Sequence, residues 1–244
     1  MAKLPTESLY DGYISCGQYQ TLGIADYDRW ASAAEWRFGN WLPRQVGSRC
    51  LDLGSGCGQV LYMLRRFGYT DIRGIDFSRE CVTQAQAMNL PVEYADVTIW
   101  LDSSPLRFDV IFAVDLLEHI EKSSVVSLLR QIIEHLADGG VFIAQTVNGE
   151  SPMFGQIRYG DFTHENTFTQ QSLSALLRHV GFDEIQFKPV GPYPGGFVSF
   201  LRAALWKGVE VLVKMWNLIE TGGNGSAICT RNLILLARKK STRP

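Results

Sequence analysis

The sequence predicts an α/β fold: a doubly wound, mostly parallel sheet of seven strands. Three observations carry that reading. From residue 49 onward, short apolar runs bounded by turn residues alternate with helical segments, as strands covered on both faces require. The first strand runs straight into a glycine-rich turn, Leu51-Asp52-Leu53-Gly54-Ser55-Gly56-Cys57-Gly58-Gln59. The second ends in a carboxylate, Gly74-Ile75-Asp76-Phe77-Ser78. A chain of 244 residues is long enough for one such domain with additions.

Residues 1–47 are expected to form an N-terminal cap of the same domain, rich in Tyr10, Tyr13, Tyr19, Tyr27, Trp30, Trp36 and Trp41. A helix is expected from about Tyr27 to Trp41. It either packs on the sheet edge or closes over a bound ligand. Residues 48–239 are expected to form the α/β unit. Its strands fall at about 49–53, 72–76, 91–95, 108–114, 140–146, 183–188 and 231–237. Its helices fall at about 58–67, 78–88, 118–136 and 170–180. Ser78 suits the N-cap of the second of these, with Glu80 in its first turn. Asp138-Gly139-Gly140 is expected to end the long helix.

A helical insertion is expected at 198–220, before the last strand. On a helical wheel Arg202, Lys207, Glu210, Lys214 and Asn217 share one arc. Leu201, Ala204, Leu205, Val209, Leu212, Met215, Trp216 and Ile219 take the other side. That apolar face is expected to meet a membrane surface, a second copy in a homodimer, or the chain's own domain.

Composition narrows the function classes. A net charge of −2 gives no electrostatic footprint for nucleic acid. Five scattered cysteines (Cys16, Cys50, Cys57, Cys81, Cys229) make neither a disulfide framework nor a C-x-x-C metal site. With no signal-peptide pattern and no spanning apolar run, a cytoplasmic location is expected, peripheral to the inner face of the membrane if 198–220 binds lipid.

Glycines at alternate positions let the backbone turn tightly and approach a ligand. A carboxylate at the tip of the next strand can accept hydrogen bonds from both hydroxyls of a ribose. Together they describe a nucleoside-bearing cofactor. A dinucleotide fingerprint starting at Gly54 would need glycine where Gln59 stands, which argues against a nicotinamide-dependent oxidoreductase.

The D-x-G-x-G-x-G run resembles motif I of the class I S-adenosylmethionine-dependent methyltransferases, a Rossmann-like family. The resemblance implies S-adenosylmethionine held by Asp52, Gly54, Ser55, Gly56, Gly58, Asp76, Phe77, Asp96, Val97 and Asp115. Asp76 would take the ribose and Asp96 the adenine amino group, with Phe77 and Val97 flanking the base. Asp52 would reach the cofactor's ammonium or hold the glycine turn.

After the fourth strand comes Asp115-Leu116-Leu117-Glu118-His119, whose i, i+3, i+4 spacing would put three polar groups on one helical face. A polar loop, Arg158-Tyr159-Gly160-Asp161-Phe162-Thr163-His164-Glu165, follows the fifth strand. Asp115, His119 and His164 are therefore the catalytic candidates, a histidine being suited to take a hydroxyl proton. The D-x-x-E-H pattern with a later histidine also resembles the E-x-x-E-H metal site of small-RNA 2′-O-methyltransferases and ubiquinone-pathway O-methyltransferases. That likeness implies Mg²⁺ or Mn²⁺ on Asp115, Glu118, His119 and His164, with Asp115 one methylene shorter than the family's glutamate. Without a metal, Glu118 would cap the helix and His119 would orient the backbone.

Asn148-Gly149-Glu150-Ser151-Pro152, the loop around His164 and Thr230-Arg231-Asn232-Leu233-Ile234 resemble a bacterial methyltransferase group associated with cell-surface polysaccharide biosynthesis. The resemblance implies methylation of a hydroxyl on a sugar or glycan precursor. Other small-molecule hydroxyls, such as those of a quinone or natural product, and a catalytically silent assembly role are the alternatives.

Overall fold

The computed structural model describes residues 10, 12, 14, 15, 21–223 and 228–240. Tyr13, Tyr19 and Cys16 lie outside the described residues, as does most of the cap before residue 21. Seven strands form one sheet: β1 (Cys50–Leu53), β2 (Ile72–Asp76), β3 (Val92–Tyr94), β4 (Phe108–Val114), β5 (Leu136–Val147), β6 (Phe182–Pro189) and β7 (Asn232–Lys239). Their order is β3-β2-β1-β4-β5-β7-β6. The first five run parallel, and β7 runs antiparallel to β5 and to β6. The strand order therefore reverses between β1 and β4, which opens a crevice at their carboxyl ends.

Eight helices join the strands: α1 (Ile24–Phe38), α2 (Gln59–Arg66), α3 (Arg79–Ala87), α4 (Val97–Ser103), α5 (Val125–His135), α6 (Phe154–Arg158), α7 (Gln170–Val180) and α8 (Phe197–Thr221), counted among the described residues. Alternate side chains of each strand enter opposite cores, as the period of two demands. Leu51, Leu53, Ile111 and Ala113 meet α4, α5 and α7 through Trp100, Leu128 and Leu173. Cys50, Val110, Phe112 and Ile143 meet α1, α2 and α3 through Phe38, Leu61 and Val82. The N-terminal helix α1 thus covers a face of the sheet. Phe38 sits edge-on to Phe112 at 6.1 Å, and the Tyr27 hydroxyl donates to the Cys57 carbonyl at 2.6 Å.

Local signals set most helix ends. Ser78 accepts from the Cys81 N–H at the start of α3, and Thr169 forms a capping box with Ser172 at the start of α7.

The long helix expected at 118–136 is shorter. Residues Leu117–His119 form a single 3-10 turn, and α5 begins only at Val125. It ends at His135, because Leu136 turns extended and pairs with Phe108. Asp138-Gly139-Gly140 consequently lies inside β5, where the register with β4 shifts. Two short helices, α4 and α6, had no periodic signal long enough to read.

Candidate active site

The turns that follow β1, β2, β3, β4 and β5 line one cleft of about 620 Å³, bordered by Tyr10 and Trp30 from the N-terminal region. That volume suits a cofactor and a small acceptor together.

The glycine turn forms the cofactor end. Gly54, Gly56 and Gly58 have φ of +66°, +51° and +83°. Side chains are strained in that region of backbone space. A Cβ on Gly54 would stand 2.9 Å from the Leu116 side chain, and one on Gly58 would stand 2.8 Å from that of Leu90. The Gly56 N–H donates to Asp76 Oδ2 at 2.7 Å, and the Ser78 N–H donates to Asp76 Oδ1 at 2.7 Å. Burial raises the Asp76 pKa while these two bonds pull it down. Asp76 is therefore oriented by backbone groups at the strand tip and lines the cleft.

Asp52 is 1 % exposed, and neither of its carboxylate oxygens has a hydrogen-bond partner. Burial, and then the Asp76 charge, pushes its pKa well up. An unpaired buried carboxylate costs free energy unless something compensates it. It lines the cleft beside the glycine turn, so the amino-acid ammonium of S-adenosylmethionine is the compensation it fits. The Ser55 hydroxyl is also buried without a partner.

Beyond Asp76, where the resemblance would put the adenine, Phe77 stacks on Tyr94 with ring centroids 5.6 Å apart, and Val97 opens α4. Asp96 is the N-cap of α4, accepting from the Thr98 and Ile99 N–H groups. Both bonds use Oδ1, so capping leaves Oδ2 uncommitted to the helix. Capping and adenine recognition are therefore compatible.

The acceptor end departs from the sequence expectation. Asp115, Glu118 and His119 do not share a helical face, because Asp115 has φ +53° and the next turn is 3-10. The Asp115 carboxylate accepts from Gln145 Nε2 at 2.9 Å and from Asn232 Nδ2 at 3.2 Å. Surrounding protein raises its pKa, although it keeps an open face to the cleft.

Glu118 is 1 % exposed and accepts from the Thr146 hydroxyl at 2.9 Å. Its backbone carbonyl accepts from the Glu165 and Asn166 N–H groups, which ties the polar loop to the sheet. Burial and the nearby Asp115 charge drive its pKa well up. Neither a cap nor a converging ligand, Glu118 is an anchor for the loop that carries His164.

His119 and His164 do converge, with ring centroids 4.7 Å apart. The third group beside them is Asp161, not Asp115 or Glu118. One donor atom from each of His119, Asp161 and His164 lies within 4.8 Å of the others. Sequence reasoning passed over Asp161 and Thr163, although they stand three and one residues before His164 in the loop it had singled out.

Hydrogen bonds hold both rings. The Thr163 hydroxyl donates to Asp161 Oδ1 at 2.6 Å and lies 2.9 Å from His119 Nδ1, which the Tyr10 hydroxyl also approaches at 3.3 Å. His164 Nδ1–H donates to the Ile157 carbonyl at 2.9 Å. A carbonyl only accepts, so His164 keeps Nε2 as its lone-pair nitrogen. Burial, then the proximity of His164, lowers the His119 pKa to about 4, which keeps that ring neutral at physiological pH.

The fold is that of solved S-adenosylmethionine-dependent methyltransferases. A family model described as a methyltransferase domain matches residues 28–186, more than half of the chain, and the chain belongs to that family. Its fold is similar to that of an S-adenosylmethionine-dependent methyltransferase from Archaeoglobus fulgidus, with a TM-score of 0.65 at 16 % identity over 86 % of this chain and 94 % of the other. It is also similar to phosphoethanolamine N-methyltransferase 2 of Haemonchus contortus, solved with S-adenosylmethionine. There the TM-score is 0.64 at 17 % identity, over 99 % of this chain and 61 % of the other.

Among curated relatives, the ubiquinone biosynthesis O-methyltransferase of Pseudomonas fluorescens strain SBW25 is 30 % identical over 118 residues. The match takes in 45 % of this chain and 50 % of the relative, so the chain spans about half the length of the curated relatives it matches.

Proposed function

We propose that the protein moves a methyl group from S-adenosylmethionine to a hydroxyl on a sugar or glycan precursor. The observation that carries the hydroxyl reading is the pair of imidazoles at the cleft, each held through Nδ1, with the His164 Nε2 lone pair able to accept a proton. The cofactor supplies a methyl already activated on a cationic sulfur, so positioning of the acceptor provides much of the acceleration. An alcohol is almost un-ionised at neutral pH, and His119 with His164 supplies the base. Asp76 orients the ribose, Asp52 balances the ammonium, and the Glu118-anchored loop closes the acceptor end. The polar lining at that end, with Asp161, Thr163, Glu165 and Asn232, favours a hydroxyl-rich acceptor.

The curated relatives favour a second acceptor, a phenolic hydroxyl such as that of a quinone precursor. A phenol gives up its proton more readily and depends less on the base. Transfer of labelled methyl to nucleotide sugars or oligosaccharides, with none to catechols, is the result the sugar reading expects. The reverse pattern replaces it with the phenolic one. Cofactor binding without transfer to any hydroxyl would favour a silent assembly role.

His119, Asp161 and His164 also fit a divalent ion in number and spacing. They would hold it with two neutral nitrogens and one carboxylate, a set better suited to a transition metal than to Mg²⁺. Such an ion would supply Lewis acidity to the hydroxyl oxygen. If imidazole alone is the base, turnover survives a chelator within about two-fold, a change well under the tenfold worth 1.4 kcal/mol. Loss of turnover on chelation, restored by Mn²⁺, would assign the activation to an ion at these three residues.

A further inference from the structure

The helix α8 shows its apolar side to solvent. Its half-buried residues are Ser199, Ala203, Trp206, Glu210, Val213 and Asn217, spaced alternately by four and three. They form one stripe, which turns toward the domain; Trp206 lies against Gly191. That stripe sets Trp206 and Val213 among the small or polar Ser199, Ala203, Glu210 and Asn217. The opposite side carries Phe197 at 85 % exposure, Leu205 at 65 %, Leu212 at 61 %, Trp216 at 62 % and Ile219 at 85 %. Among the described residues, the helix's own domain does not cover that side, which leaves two of the three occupants open from the sequence. A helix of 25 residues, about 37 Å long, keeps an apolar half-circumference in water.

We propose that α8 docks this protein on an anionic lipid surface, lying in the interface with its apolar half in the bilayer. Three observations favour lipid over a second copy. The apolar arc spans about half the wheel, whereas helix pairing uses a narrow seam and would leave much of it wet. Arg202 and Glu220 border the arc on one side, and Lys207 and Lys214 border it on the other, all exposed, so three cations stand there against one acid. Lys207 also bonds Glu210 at 2.8 Å, which orients it at that margin. Cationic margins complement anionic headgroups, and they would line the seam of any pairing of α8 with itself. No helix among the described residues is long and apolar enough to cross a membrane, so this one would lie along it.

The third observation is position. The helix leaves the sheet after Pro189, which pairs with Leu233, and returns at Asn232, which pairs with Val147 at the carboxyl end of β5. Asn232 itself bonds Asp115 in the cleft. The loop after β5 adds Tyr159 at 78 % and Phe162 at 81 % exposure on that same edge. Docking through α8 would bring the cleft rim to the lipid surface.

The test is flotation of the full chain with vesicles of phosphatidylcholine, alone and with added phosphatidylglycerol. The protein should float with the anionic vesicles and only weakly with the neutral ones. The double variant Leu205→Glu, Leu212→Glu should lose that binding by roughly tenfold or more, since two apolar side chains on the buried face become charged. Its S-adenosylhomocysteine affinity should stay within a few-fold, reporting an intact domain. Should that variant fail to fold, Arg202→Gln with Lys214→Gln decides, and is expected to lose the preference for anionic vesicles. Absence of flotation with either vesicle overturns the proposal. So does a wild-type mass of twice the chain that falls to the monomer in the leucine variant without vesicle binding, which would make a second copy the occupant.

Discussion

Alanine at both His119 and His164 is expected to lower methyl transfer by ~10²–10⁴, the usual contribution of general-base catalysis, while S-adenosylhomocysteine binds as before. The two single variants should be unequal. Thr163 and Asp161 orient His119, whereas a backbone carbonyl orients His164. The pH profile carries a sign. A base works only unprotonated, so activity is lost as pH falls through its pKa. With the His119 pKa lowered from 6.5 to about 4, the acid limb of kcat/KM should lie below that of an ordinary imidazole. Steady-state transfer rates for the wild type and three variants across acid pH check this. Full activity in the double variant would leave positioning as the whole mechanism.

Gly56→Val is expected to abolish cofactor binding. Gly56 has φ +51°, where a β-branched side chain is strained by ~1–3 kcal/mol, and its N–H holds Asp76 at 2.7 Å. A valine therefore disturbs the turn and the ribose carboxylate together, and its methyl groups enter the space a ligand must approach. Calorimetry with S-adenosylhomocysteine, beside a thermal melt to show folding, measures the loss. A folded variant with normal affinity would mean the glycine turn is not the cofactor cradle.

The sequence located β2 and β4 at their observed limits and the other strands within a few residues, because their apolar runs end at strong turn residues. The glycine turn was legible for the same reason: glycine at alternate positions has a backbone consequence that does not depend on distant contacts. The acceptor end was only partly legible. Asp115-x-x-Glu118-His119 has the spacing of a helical face, but the positive φ at Asp115 breaks that geometry, and tertiary hydrogen bonds from Gln145 and Asn232 fix its carboxylate. Glu118 was placed by Thr146, a residue 28 positions away, which no local pattern announces. Asp161 acts through Thr163, and that relay exists only once the loop folds back on the 3-10 turn. For α8, the wheel found the two faces correctly; which of them faces the domain depends on its packing near Gly191.

The most direct test of the account is titration of the wild-type protein and Asp76→Ala with S-adenosylhomocysteine and with NAD in the calorimeter. The cleft is predicted to bind S-adenosylhomocysteine one to one and to give no heat with NAD. Losing charge-assisted hydrogen bonds of ~1.5–3 kcal/mol each should weaken S-adenosylhomocysteine about 10- to 100-fold in the variant. Equal binding of NAD, or unchanged affinity in a folded Asp76→Ala, would contradict the assignment of this cleft to S-adenosylmethionine.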